Sequence, residues 1–140
     1  MTATSFIDTN ILVYAFADTD DGRHATARSL VEELLDSQNA GLSVQVLREF
    51  YAVVTRKVKR PLSHAQAAAM IQDLSLACRV VDDTLPLLSR ALEIAGEHGL
   101  SIWDASIAAA AEAAGCGMIF TEDFSHGAML GSVRVTNPFR

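Results

Sequence analysis

Half of the 140 residues are hydrophobic, enough for one compact domain with a packed core, which excludes a disordered or purely linear protein. Eleven basic against seventeen acidic residues leave a formal net charge of -6, which excludes a protein that grips nucleic acid by overall charge. Any contact with nucleic acid must then be local or metal-mediated.

The opening residues Met1 to Ser5 carry no basic leader, and the apolar run Ile11 to Ala17 is too short to span a bilayer, so a soluble cytoplasmic protein is expected. A first strand is expected at Ser5-Phe6-Ile7, followed by a short helix over Asn10 to Ala17. Helices come next at about Arg23 to Ser37, Val44 to Arg60, Ser63 to Leu76, Leu85 to His98 and Ile102 to Ala114. Between and after them, short apolar runs at Gly41 to Val44, Arg79 to Val81, Met118 to Phe120 and Val133 to Val135 read as strands. Pro61 closes the second long helix, Ser63 and Thr84 are N-caps, and Gly99 and Gly115 stand where a left-handed residue ends a helix. No repeat, low-complexity tract or linker divides the chain, so residues 1–140 are read as a single domain. The alternation of strands and helices predicts an α/β fold with a mostly parallel sheet of about five strands.

The chemistry-bearing residues are acids at the ends of these elements. Asp8 closes the first strand, where ligands gather in open α/β sheets, although capping the next helix is an equally ordinary use of an aspartate there. Asp123 repeats the pattern after Met118 to Thr121, with turn formation as its bland alternative and Glu122 adjoining it as a possible sharer of its task. Asp104 opens an alanine-rich helix, where the helix dipole alone would favour an acid, and its neighbour Trp103 suggests a tightly packed helix start. Glu49 falls beside the apolar stripe Val46, Phe50 and Val53 when its helix is laid out at about 100° per residue. A carboxylate enclosed in this way calls for a partner, either a metal ion or a salt bridge to Arg48 or Arg56.

Taken in order, Phe6-Ile7-Asp8-Thr9-Asn10, Val46-Leu47-Arg48-Glu49-Phe50, Trp103-Asp104-Ala105, Phe120-Thr121-Glu122-Asp123-Phe124 and the closing Val135-Thr136-Asn137-Pro138-Phe139 resemble the PIN-domain family, and most closely its VapC toxin ribonucleases. The resemblance spans nearly the whole chain. It implies a three-layer α/β/α sandwich and a Mg2+- or Mn2+-dependent endoribonuclease, the toxin of a toxin–antitoxin pair. It further implies that Asp8, Glu49, Asp104 and Asp123 are the catalytic and metal-binding acids, that Thr9, Asn10 and Thr121 support them, and that the chain forms a homodimer and binds an antitoxin. Oxygen ligands suit such a hard cation, and a metal-activated water is the expected nucleophile toward the RNA phosphodiester.

The basic run Arg56-Lys57-Val58-Lys59-Arg60 offers an acidic protein a local hold on RNA. If the helix continues to Arg60, Arg56 and Arg60 share a face with Glu49 and are the RNA-binding candidates, while a solvated helix end is the alternative. Asp18, Asp20 and Asp21 lack the spacing of a calcium loop, Asp82 and Asp83 suit a helix N-terminus, and the four histidines have no zinc-like spacing. Cys78 and Cys116 suggest neither a disulfide framework nor a zinc site and read as small buried hydrophobes. Two other functions compete. One is a phosphatase with Asp8 as nucleophile, although Asn10 stands where a second aspartate belongs; the other is an interaction module of the same fold without activity.

Overall fold

A computed structural model describes residues 3–17 and 22–140. Asp18, Asp20 and Asp21, whose spacing does not suit a calcium loop, lie outside the described residues. The strands are β1 (Ser5–Ile7), β2 (Ala40–Ser43), β3 (Arg79–Val81), β4 (Met118–Phe120), β5 (Met129–Leu130) and β6 (Val133–Thr136). The helices are α1 (Thr9–Phe16), α2 (Arg23–Asp36), α3 (Val44–Val54), α4 (His64–Ala77), α5 (Leu85–His98) and α6 (Ile102–Ala113).

The sheet has the order β3-β2-β1-β4-β6-β5, parallel throughout except for the β5–β6 pair. α5 packs against α6, which covers β2, β4 and β6, while α1 packs against α2 and α3 and α3 against α4. The result is the expected three-layer sandwich, with Phe6, Ile7, Leu42, Ile119, Val133 and Val135 of the sheet fully buried between the helices. Strands β1, β2 and β4 read as short apolar runs because both of their faces are covered. Successive strands run outward from β1 through β2 to β3, and the chain then returns to place β4 on the other side of β1. The β1–β4 boundary is therefore the topological switch point, at which side chains beyond the ends of the two strands converge.

Local signals explain the helix ends. Ser63 caps α4 in a reciprocal capping box with Gln66, Thr84 caps α5, and Gly99 ends α5 at φ 65°. Gly115 comes after α6 with φ 78°, also as expected. The sixth strand, Met129–Leu130, is not anticipated by the sequence pattern, because two residues are too few to show alternation. It forms a hairpin with β6 through Gly131, at φ 62°.

Helix α3 departs most from expectation. It stops at Val54 rather than running to Arg60. The Thr55 hydroxyl donates to the Tyr51 carbonyl at 2.7 Å, and the chain folds back so that the Leu62 N–H takes the Val54 carbonyl at 2.8 Å. A continuing helix would have needed that carbonyl for Val58. Residues 55–60 accordingly form turns and bends, and the common helix face expected for Glu49, Arg56 and Arg60 does not exist.

Cys78 and Cys116 are free and buried, and burial pushes both thiols up to about 11, so they serve as packing atoms. No described helix is long and apolar enough to cross a membrane.

Candidate active site

Asp8 stands at the end of β1 and the start of α1, only 5% exposed. Its Oδ1 accepts the Thr9 N–H at 2.7 Å and its Oδ2 accepts the Thr121 hydroxyl at 2.7 Å. Its own N–H donates to the Phe120 carbonyl at 3.0 Å, locking it to the end of β4. Burial pushes the Asp8 carboxyl up to about 7, a rise opposed by its two hydrogen bonds and augmented by the charges of Asp123 and Glu49.

Asp123 lies in the loop after β4, where its N–H donates to the Thr121 hydroxyl at 3.1 Å. Thr121 is fully buried and thus joins two acids through one oxygen, donating to Asp8 and accepting from Asp123. The Asp123 carboxyl is held above the usual carboxylate range, first by burial and then by the charges of Asp104 and Glu122. The Asn10 amide stands close enough to oppose that rise, yet neither its Oδ1 nor its Nδ2 completes a hydrogen bond.

Asp104 occupies the first turn of α6, where its N–H takes the Ser101 hydroxyl at 3.1 Å as helix cap. Glu49 comes from α3 and is exposed, so the enclosure expected for it is absent. It forms no salt bridge with Arg48 or Arg56; Arg48 instead pairs with Asp83 at 3.3 Å, which gives that acid a role apart from the site. What holds Glu49 is Gln45, whose Nε2 donates to Glu49 Oε1 at 3.0 Å and to the Trp103 carbonyl at 3.2 Å. Trp103 also differs from expectation: it is 70% exposed rather than packed.

Charge acts between acids of four separate segments, that of Glu49 and Asp123 on Asp8 and that of Asp104 and Glu122 on Asp123. Among the described residues no three acid, His or Cys side chains are gathered tightly enough to cage a metal ion by themselves. The donor set is nonetheless all oxygen, and next to it Thr9 Oγ1 and both polar atoms of the Asn10 amide are buried without hydrogen-bond partners. Such orphans are uncommon and mark a site built for something more than this chain supplies. An open carboxylate site of this kind fits a hard cation that retains several of its waters.

Two further side chains border the site. Glu122, whose charge acts on Asp123, is held by Tyr14, which donates to its Oε1 at 2.5 Å, and by Arg23, which pairs with its Oε2 at 3.2 Å. Gln45 is absent from the expected set, although its spacing of one helical turn before Glu49 is a readable signal. None of the four described histidines joins the acids: His24 bonds the Tyr14 carbonyl, His64 the Tyr51 hydroxyl, His126 accepts from the Asn137 N–H, and His98 lies 3.9 Å from Glu97 Oε2.

Comparison with known proteins agrees with this architecture. The PIN-domain family model matches residues 5–127. The chain belongs to the PIN-domain family. Its structure is similar to that of VapC20 from Mycobacterium tuberculosis, described as a sarcin-ricin loop cleaving toxin, with 27% identity, a TM-score of 0.65 and coverage of 94% of this chain and 99% of that one. It is also similar in fold to a toxin–antitoxin complex component from Klebsiella pneumoniae, at 18% identity, TM-score 0.71 and coverage of 96% and 98%. VapBC2 from Rickettsia felis, bound to a DNA fragment from its promoter, matches at 18% identity, TM-score 0.66 and coverage of 96% and 98%. No curated protein matches the chain by sequence.

Proposed function

We propose that this PIN domain is a Mg2+- or Mn2+-dependent endoribonuclease and the toxin of a toxin–antitoxin pair. The observation that carries the reading is the convergence of Asp8 and Asp123 on Thr121 at the switch point, with Glu49 and Asp104 coupled to them and the Asn10 amide left without a partner. The similarity to a toxin described as cleaving the sarcin-ricin loop, and to components of toxin–antitoxin complexes, supports it.

In this reading Asp8, Glu49, Asp104 and Asp123 hold the cation, and Thr9, Asn10 and Thr121 support them. A divalent cation supplies the positive charge that makes water nucleophilic near neutral pH and stabilises charge developing on a phosphodiester. The chain's own contribution is orientation. Thr121 and the Thr9 N–H fix both oxygens of Asp8, and Gln45 fixes one oxygen of Glu49. The raised Asp8 carboxyl reflects chiefly its burial, with the charges of Asp123 and Glu49 adding to it, and a bound cation would offset both.

The antitoxin is expected to bind this domain and block the acidic cleft with a basic residue, and the family resemblance implies a homodimer in the cytoplasm. Incubation of purified protein with RNA tests the enzyme reading. Cleavage that requires Mg2+ or Mn2+ and disappears with chelator is expected. Full cleavage in excess EDTA, with an Asp8→Asn preparation inactive, overturns the metal mechanism, and a phospho-aspartate trapped at Asp8 favours the phosphatase reading.

A further inference from the structure

Beside the acids runs a groove of about 480 Å3, within the roughly 300–1,000 Å3 range of small-molecule sites. Its lining includes Gln45, Arg48, Leu85, Leu88, Ile102 and Trp103. Trp103 is 70% exposed and, among the described residues, stacks on no other ring. Leaving so large an apolar ring in water forgoes the free energy of burying it, so an occupant that covers it is favoured.

We propose that this groove is a nucleobase subsite in which a base of single-stranded RNA stacks on Trp103 beside the cleavage centre. The inference rests on the nuclease reading above and deepens it. Three observations favour a base over a purely apolar occupant. Trp103 and Asp104 are consecutive in the first turn of α6, so although their side chains diverge by about 100° a strand seated on the indole passes within one helical turn of that acid. The same Gln45 amide donates to the Trp103 carbonyl and to Glu49, tying the wall of the groove to the site. The lining joins apolar Leu85, Leu88 and Ile102 to the hydroxyls of Thr84 and Ser106 and to the Arg48–Asp83 ion pair, which suits a molecule with flat apolar faces and hydrogen-bonding edges.

Trp103 is the only tryptophan in the chain, so its fluorescence reports on this ring alone. A short single-stranded oligoribonucleotide, kept in excess EDTA so that metal-dependent cleavage is silent, serves as probe. Saturable quenching of Trp103 emission is expected, with the same midpoint as binding followed by anisotropy of a labelled oligonucleotide. Trp103→Ala should weaken that binding about 5- to 150-fold, the range for loss of one stacked base, and raise KM for RNA cleavage while kcat holds, with Trp103→Phe retaining most of the affinity. Oligonucleotide binding that leaves Trp103 emission unchanged, or a Trp103→Ala protein with wild-type KM, overturns the stacking subsite and leaves the nuclease reading standing. Wild-type protein that neither binds nor cleaves RNA in Mg2+ overturns both. Emission that shifts with protein concentration alone, in an assembly that Trp103→Ala dissociates, assigns the face to a second copy of the chain and likewise overturns the proposal.

Discussion

The Thr121 hydroxyl donates to Asp8 Oδ2 at 2.7 Å across a sequence separation of 113 residues. This bond joins the ends of two neighbouring parallel strands and stabilises the charged form of an acid that burial drives toward neutrality. Because the folded Asp8 holds its proton up to about 7, against an ordinary value of 3.8, the folded protein binds more protons than the unfolded chain between those values. The contribution of Asp8 to metal-free stability should therefore fall as pH rises from about 4 to 7, with a slope approaching 1.4 kcal/mol per pH unit. Asp123 is shifted in the same direction and adds to the fall. In thermal melts without metal, Asp8→Asn should flatten this dependence and raise the Tm above wild type at pH 8. Mg2+ should raise the Tm of wild type and have little effect on the variant. A metal-free Tm whose pH dependence between about 4 and 7 is the same in wild type and Asp8→Asn would contradict the raised Asp8.

Replacement of the acids tests their assignment one by one. Asp8→Asn, Glu49→Gln, Asp104→Asn and Asp123→Asn are each expected to lower cleavage by about 1,000-fold or more, equivalent to roughly 4 kcal/mol of barrier, with the fold retained. Glu122→Gln makes the contrast, since its carboxylate is engaged by Tyr14 and Arg23. It should lose far less activity than Asp123→Asn. Near-wild-type cleavage by any two of the four variants in well-folded form, or a Glu122→Gln enzyme as inactive as Asp123→Asn, would show the set to be misassigned.

The order of acids along the chain makes much of this site readable without the fold. Asp8 and Asp123 come directly after apolar runs short enough to be strands, and parallel strands deliver the residues at their carboxyl ends to one edge of the sheet. For Glu49 the sequence pattern gives the wrong surroundings. Laying α3 out as a wheel places it among apolar residues, whereas it is exposed and held by Gln45. The basic run misleads for a related reason: helical periodicity cannot register that Leu62 returns to claim the Val54 carbonyl, a contact made only by the folded chain. Trp103 shows the same limit, since its side chain faces solvent while the alanines after it carry the packing of α6.

The turns at residues 55–60 change the expectation for the basic run without removing it. Arg56, Lys57 and Arg60 are all exposed, and no helix register now separates Lys57 from its neighbours. If Arg56 and Arg60 hold RNA phosphates, Arg56→Ala and Arg60→Ala should each reduce the slope of log binding constant against log salt by about one, while metal affinity is preserved. Identical slopes for wild type and both variants would leave the run a solvated surface.

Stability can be altered at the far end of α6 without touching the acids. Glu112 accepts from Arg90 Nε at 2.6 Å and Nη2 at 3.2 Å, and from the Ser132 N–H and hydroxyl at 3.2 Å each, pinning α5, α6 and the β5–β6 hairpin together. Gly131 sits inside this clasp at φ 62°, and a Cβ there would come within 2.5 Å of Glu112 Oε2 and 3.0 Å of Arg90 Nη2. Gly131→Ala should thus cost about 1–3 kcal/mol through backbone strain and displacement of the ion pair. Glu112 lies eight residues beyond Asp104, roughly 12 Å along the helix, so kcat at a temperature where the variant is folded should be unchanged. Urea melts superimposable on wild type would refute the clasp.

Gln45 offers the sharpest separation of orientation from charge. It is buried in the first turn of α3 and places no charge in the site, yet one amide nitrogen reaches both the Glu49 carboxylate and the Trp103 carbonyl. Gln45→Ala leaves all four acids in place and frees Glu49 to rotate into solvent, so the expected effect is smaller than loss of an acid: about tenfold in kcat, or roughly 1.4 kcal/mol. Gln45→Glu keeps the length of the side chain but replaces the donor with a second carboxylate facing Glu49. Repulsion should then cost more activity than the alanine variant at pH 8, and the difference should shrink as pH falls and the added carboxyl takes a proton with which to donate. Single-turnover cleavage measured from pH 6 to 8 in both variants, with Tm recorded alongside, distinguishes this from general destabilisation. Equal rates for the two variants at every pH would mean that the Gln45 amide does not position Glu49 for catalysis.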